Sequence, residues 1–168
     1  PAGGDVDIPD IPAPKNLSDG EIMEAAEVLR NSDSAALFMG GHALRESGLI
    51  QAGRIAEAPG ARLITETFFT RQQRGVGRVE TERLPYFGEM AAEHLQGLDT
   101  LIIIGSKPPV SFFAYPGKPG WLSPEGSSLL QMGDHGVDAI DTLTRLADAL
   151  GAPSEVKNVA QRVEHALE

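Results

Sequence analysis

Cysteine is absent from the 168 residues. Without it there is no disulfide framework, no thiol nucleophile and no cysteine-based zinc site. Positive charge is scarce as well. Fourteen Lys and Arg stand against 24 Asp and Glu, giving a net charge of -10. That balance excludes nucleic acid as the expected partner, because gripping phosphates needs a basic face. No apolar run approaches the roughly 18 residues of a membrane helix, and no signal peptide is visible. The expectation is a cytoplasmic protein with no membrane partner. The chain also lacks a Walker sequence and a G-x-S-x-G elbow, so two common catalytic frameworks are missing. It does not begin with Met but with Pro1-Ala2-Gly3-Gly4. An excised piece of a longer chain is expected.

What is present suits one domain with a real core. Hydrophobic residues make up 41% and charged residues 23%, the proportions of a soluble globular protein. The organising stretch is 35–44, AALFMGGHAL. Five apolar residues run into Gly40-Gly41, then His42, and a helix begins near Arg45, Glu46 and Ser47. A central parallel strand buried on both faces shows such an unbroken run. The glycines suit a first βα turn, where backbone N–H groups at the next helix would face a ligand crevice. A tight turn with no ligand is the alternative reading of the same two glycines.

The remaining elements follow in order. Residues 1–16, with Pro9, Pro12 and Pro14, read as an interdomain linker. Ser18-Asp19-Gly20-Glu21 is a capping box opening a helix whose apolar face is Ile22, Ala25, Ala26 and Leu29. A second helix carries Leu49, Ala52, Ile55 and Ala56 and stops at Pro59-Gly60. Residues 61–65, ARLIT, form the second strand, completing a βαβ unit. Residues 66–87 hold Arg71, Arg74, Arg78 and Arg83, expected in a solvated loop or a subunit contact; 84–87 reads as a short third strand. A helix over 88–96 leads to 98–105, LDTLIIIG, the clearest buried strand, which ends in Gly105-Ser106-Lys107. If strand order reverses between it and the first strand, the two glycine turns face each other across a topological switch point.

Residues 107–126 combine five prolines with Phe112, Phe113, Tyr115 and Trp121. Prolines at that density forbid a long helix. A short strand over 110–115 and an ordered loop with exposed aromatics are expected, and such a surface suits a partner or a neighbouring domain. A strand over 127–132, an amphipathic helix from Val137 to a C′ glycine at Gly151, and a last helix over 153–167 complete the chain. The fold class is α/β, a three-layer doubly wound, mostly parallel sheet of Rossmann-like kind. Asp134, His135, Asp138 and Asp141 form the densest group of metal-ligand residue types, but acidic residues at a helix start are favoured by the dipole alone. No catalytic residue set is visible and no metal site is assigned.

These pieces resemble a known family. The strand and turn at 35–44, the stretch 46–69, the strand and turn at 100–106 and the helix at 137–151 are similar to the central domain of thiamine-diphosphate-dependent enzymes, in the acetolactate-synthase-like branch. The fold so implied is the deoxyhypusine-synthase-like nucleotide-binding domain, over 17–168. The resemblance implies a parent enzyme that decarboxylates 2-keto acids or joins the acyl fragment to a second carbonyl, with thiamine diphosphate and Mg²⁺. The glutamate-bearing domain and the Gly-Asp-Gly segment that serve those cofactors in the family are absent here; Gly133-Asp134-His135-Gly136 breaks the pattern. The chain then corresponds to the non-catalytic middle domain, which joins the others, contributes to dimer or tetramer contacts, and in some members binds the ADP part of FAD. The matching positions are Gly40, Gly41, His42, Thr65, Glu66, Thr67, Gly105, Ser106 and Lys107. The Gln- and Arg-rich segment 68–78 departs from FAD-binding members. Two other readings stand beside this one: a stand-alone NAD- or nucleotide-binding domain, sirtuin-like or deoxyhypusine-synthase-like, and a pure interaction module using the aromatic loop.

Overall fold

The structure is a computed structural model that describes residues 9–114, 116–133 and 136–162. Its centre is a five-stranded parallel sheet of β1 (Ala35–Met39), β2 (Arg62–Thr65), β3 (Glu82–Arg83), β4 (Thr100–Ile104) and β5 (Ser128–Gln131), in the order β3-β2-β1-β4-β5. β1 pairs with β2 on one side, Met39 opposite Thr65, and with β4 on the other, Met39 opposite Ile104. The chain therefore builds outward in one direction through β2 and β3, then returns to the other side of β1 through β4 and β5. The reversal lies between β1 and β4, where open α/β sheets bind ligands.

Helices α1 (Asp19–Arg30), α2 (Glu46–Glu57) and α4 (Ala139–Ala149) cover one face, and α3 (Gly88–Leu95) covers the other. Alternate residues of one strand serve different cores. Ala35, Leu37 and Met39 pack with α1, α2 and α4, while Ala36 and Phe38 pack with Ala91, Leu95 and Leu122. Both faces being buried explains why β1 and β4 read as continuous apolar runs. The capping box at Ser18 forms: Ser18 Oγ accepts from the Glu21 N–H, and the Glu21 carboxylate accepts from the Ser18 N–H at 2.8 Å. Asp138 caps α4, accepting from the Ile140 and Asp141 N–H groups at 3.0 Å. Gly151, at φ 66, ends α4 as the expected C′ residue.

Three expectations are corrected. The third strand is Glu82–Arg83 rather than 84–87. Leu84 still donates to the Thr65 carbonyl at 3.0 Å, but Pro85 has no N–H to continue the ladder. The strand expected over 110–115 is reduced to a bridge between Val110 and Trp121, with Pro108, Pro109 and Pro119 interrupting any longer ladder; Tyr115 lies outside the described residues. The last helix is absent as far as Arg162. Residues 154–160 instead form an extended strap across α2. The Lys157 and Asn158 N–H groups donate to Glu57 Oε1 at 2.6 and 2.9 Å, and Val159 bridges Val79. Backbone donors held by outside partners are not available for a helix. Residues 163–168 lie outside the described residues.

The linker expectation covers 1–16, of which 1–8 lie outside the described residues. Residues 9–14 carry no helix or strand, and Lys15 is fastened to the entry of α4. Its N–H donates to the Gly136 carbonyl at 2.8 Å and its carbonyl accepts from Asp138 at 2.9 Å.

Candidate functional site

The β1/β4 reversal opens at the carboxyl end of the sheet. Gly40 and Gly105 meet there backbone to backbone. A Cβ on Gly40 would stand 2.7 Å from the Gly105 carbonyl oxygen, and one on Gly105 would stand 2.7 Å from that of Gly40. The Gly40 N–H donates to the Ile104 carbonyl at 3.0 Å. Both residues are glycine because two strand ends 65 residues apart in sequence are pressed together without side chains between them. Gly41 and Gly105 also take left-handed backbone, φ 53 and 63, which favours glycine.

The Gly-Gly turn does not pass straight into α2. A 3-10 turn, Gly41–Leu44, intervenes, and α2 starts at Glu46 without a side-chain cap from Arg45. Gln73 supplies what is missing. Its side-chain oxygen accepts from the Glu46 N–H at 2.5 Å, and its own N–H donates to the Leu44 carbonyl at 3.0 Å. The Gln- and Arg-rich segment thus closes the helix start that was expected to face an anion. Arg78 of the same segment forms an ion pair with Glu46.

Glu66, directly after β2, reaches across the reversal. A Cβ on Gly40 would meet its Oε1 at 2.6 Å, and Ser106 Oγ donates to its Oε2 at 3.2 Å. A diphosphate placed between the two glycine turns would meet this carboxylate at close range, an unfavourable like-charge contact. The other expected positions divide. Thr65 is fully buried, and its Oγ1 has no hydrogen-bond partner among the described residues. Thr67 turns away to donate to the Leu84 carbonyl at 3.0 Å. Lys107 is exposed at the rim.

A cleft lies on either side of Glu66. The one on the α3 side, about 310 Å³, runs from Phe38 and Ser106 to Phe68, Tyr86 and Phe112. Those three rings form a triangle with centroids 5.1 to 6.1 Å apart, and Phe87 and Phe113 extend the network at 5.2 and 4.7 Å. All five, with Trp121, are exposed by 42 to 64%. The loop between β4 and β5 that carries Phe112 and Trp121 takes the place of a crossover helix. It buries Leu122 against the α3-side core and leaves its rings outside. The cleft on the α4 side, about 300 Å³, is lined by His42, Arg45, Glu66, Thr70, Arg71 and Gly105, among others.

Sequence reading placed Gly40, Gly41, His42, Glu66, Gly105 and Ser106 together, and the structure brings them to one crevice. It missed Arg45, whose position one residue before α2 carried no signal of its own, and Gln73, whose capping role depends on a fold-back of 27 residues. The acidic cluster has other duties: Asp138 caps α4 and Asp141 pairs with Arg145 at 3.2 Å, while Asp134 and His135 lie outside the described residues. Away from the crevice, Arg62 and Glu82 pair at 2.5 Å, with His94 Nε2 3.1 Å from the same carboxylate. The hydrogen bond from Arg62 holds the Glu82 carboxyl below its ordinary range.

No protein-family model matches the chain. A Mycobacterium tuberculosis protein that carries the name acetolactate synthase large subunit IlvX is 43% identical over 150 residues, which are 89% of this chain and 29% of that protein. Two solved structures share the fold. A thiamine diphosphate-dependent 4-hydroxybenzoylformate decarboxylase from Rhodococcus jostii RHA1 aligns with a TM-score of 0.64 at 18% identity, over 95% of this chain and 33% of that one. A benzoylformate decarboxylase from Polynucleobacter necessarius aligns with a TM-score of 0.56 at 19% identity, over 100% of this chain and 34% of that one. The chain therefore spans about a third of the length of the proteins it matches. Among the described residues, no helix is long and apolar enough to cross a membrane.

Proposed function

We infer that this chain, which belongs by sequence with the acetolactate-synthase-like branch of the thiamine-diphosphate-dependent enzymes and has the fold of one of their domains, is the central, non-catalytic scaffold domain of such an enzyme. The observation that carries the reading is the exposed aromatic surface. Six of the chain's nine aromatic rings are exposed, and five of them form one contact network. An apolar patch of that kind is a surface built to be covered. Its covers are the other domains of the parent chain and further copies of it, in a dimer or tetramer. Prolines at 108, 109, 116 and 119 hold the loop in place, so little ordering entropy is lost on contact.

Thiamine diphosphate and Mg²⁺ belong to the parent on this reading. Among the described residues no three carboxylates, histidines or cysteines come together as a metal site would require. No step of the parent's chemistry is assigned to these side chains. The parent would act on 2-keto acids by decarboxylation or carboligation, in the cytoplasm.

A second reading, the ADP part of FAD in the crevice, is favoured by Glu66. An acidic residue just beyond the second strand is where dinucleotide folds bind a ribose hydroxyl. The ligand's phosphates would then have to lie in a flanking cleft, clear of the Gly40–Gly105 contact.

The test has two arms. The purified chain with thiamine diphosphate, Mg²⁺ and pyruvate is expected to show no turnover; turnover refutes the non-catalytic assignment. Calorimetric titration with FAD and with ADP separates the two crevice readings. Saturable binding of both supports the flavin reading, and binding of neither leaves the scaffold role alone.

A further inference from the structure

Among the described residues, seven of the 14 Lys and Arg side chains are engaged. Arg54 pairs with Asp148, Arg62 with Glu82, Arg78 with Glu46, Lys118 with Glu89, and Arg145 with both Asp19 and Asp141. Arg30 and Arg83 donate to backbone carbonyls. Lys15, Arg74, Lys107, Lys157 and Arg162 are unpaired among the described residues, and so are His42, Arg45 and Arg71, which differ in sharing one cleft. Among the described residues their side chains have neither an ion-pair nor a hydrogen-bond partner, although carboxylates outnumber cations in the sequence. All three line the same cleft of about 300 Å³, against the turn at Gly105. Convergence of two unpaired guanidinium groups and an imidazole at the reversal point of a parallel sheet is what an anion would need in a protein whose overall field repels it.

We propose that the cleft between His42, Arg45 and Arg71 is a binding subsite for the phosphate group of a small hydroxylated phosphate monoester. The two guanidinium groups supply forked donors that match phosphate oxygens, and half-buried Arg45 fixes one of them beside the 3-10 turn. Thr70 adds a hydroxyl at the same wall. Glu66 stands opposite, steadied by Ser106 at 3.2 Å. Its charge opposes a polyanion and suits hydroxyl donors on the ligand's other end. The cleft volume is at the small end of the range for ligand pockets, about 300–1,000 Å³, which favours a compact ester over a dinucleotide. The subsite lies on the α4 side of the Gly40 turn, not between the glycine turns, and stands independently of the scaffold reading.

Amide spectra of the ¹⁵N-labelled chain titrated with inorganic phosphate, ribose 5-phosphate and ribose test it. The Gly41, Thr70 and Gly105 amides are expected to shift saturably with the ester, less tightly with phosphate and not with ribose. Arg45→Gln and Arg71→Gln should each weaken ester binding about ten- to a hundredfold, the loss of one charge-assisted hydrogen-bonded contact. Arg74→Gln, on the same segment but off the cleft, should leave it unchanged, and thermal melting of each variant confirms folding. No saturable shift, or a shift that Arg45→Gln and Arg71→Gln leave intact, overturns the proposal. Phosphate binding as tightly as the ester overturns the ester assignment.

Discussion

Replacing Gly105 by alanine tests the contact on which the crevice is built. Gly105 sits at φ 63, and a Cβ there would stand 2.7 Å from the Gly40 carbonyl oxygen. Two costs combine. Left-handed backbone costs an L residue about 1–2 kcal/mol, partly offset by about 0.4–1 kcal/mol of lost freedom in the unfolded chain. Forcing a methyl against a backbone oxygen that cannot rotate away adds about 1–3 kcal/mol. The sum is about 2–4 kcal/mol, a large share of the 5–15 kcal/mol typical of a domain. The internal control is Gly60→Ala. Gly60 has φ 84 with nothing within 4 Å of the added Cβ, so only the backbone cost remains, about 1 kcal/mol. At about 2–4 °C per kcal/mol for a domain of this size, Gly105→Ala should lower Tm by about 5–15 °C and Gly60→Ala by about 2–4 °C. Thermal melting followed by circular dichroism reads both. If Gly105→Ala melts no lower than Gly60→Ala, the two turns do not touch and the closed crevice is wrong.

Other consequences are open to simpler measurements. Glu82 has a folded-state pKa below its ordinary value, chiefly through its hydrogen bond from Arg62. Its contribution to stability is therefore full above the ordinary carboxylate range and is lost as pH falls through the depressed folded value. Glu82→Gln should flatten the acid limb of the stability–pH curve, and an unchanged acid limb in urea melts would show that the pair contributes nothing. Ser18→Ala removes the cap of α1 and should cost about 1 kcal/mol, measurable as a lower urea midpoint with an unchanged m-value. Phe112→Asp and Phe113→Asp should leave Tm close to that of the parent chain, because both rings are at least half exposed, while abolishing any association seen by sedimentation. A self-associating double variant would remove this surface from the contact.

Much of the fold was legible because burial on two faces leaves a strong trace. β1 and β4 read as unbroken apolar runs for that reason, and the Ser18 box, Asp138 and Gly151 mark helix ends through local hydrogen bonding that depends on only a few residues. Where structure depended on distant partners, the sequence misled. Val156, Val159, Ala160 and Val163 recur at helical spacing, yet as far as Arg162 the chain is a strap. Val156 lies against Gly53, where a Cβ would meet it at 2.9 Å, and Glu57 takes the Lys157 and Asn158 N–H groups. Periodicity records which residues are apolar, not which neighbour will receive them.

The crevice illustrates the same limit in chemical terms. The two glycine turns were predictable as strand ends, but the order reversal that brings them together was only a condition of the sequence reading, met when β4 pairs with β1. What the turns face was not predictable. A glutamate after β2 reads equally as a ribose ligand or as an internal anion, and its hydrogen bond from Ser106, 40 residues away, leaves no trace in the local sequence. A helix start reads as an anion site until a glutamine 27 residues on supplies its oxygen. The helix start expected to receive a ligand's charge is therefore served from within the chain, while His42, Arg45 and Arg71 line a cleft beside it. Unpaired basic side chains that share a cleft, more than the glycine motif, are what locate the remaining capacity for a ligand, since an engaged group must first be released before it can bind anything else.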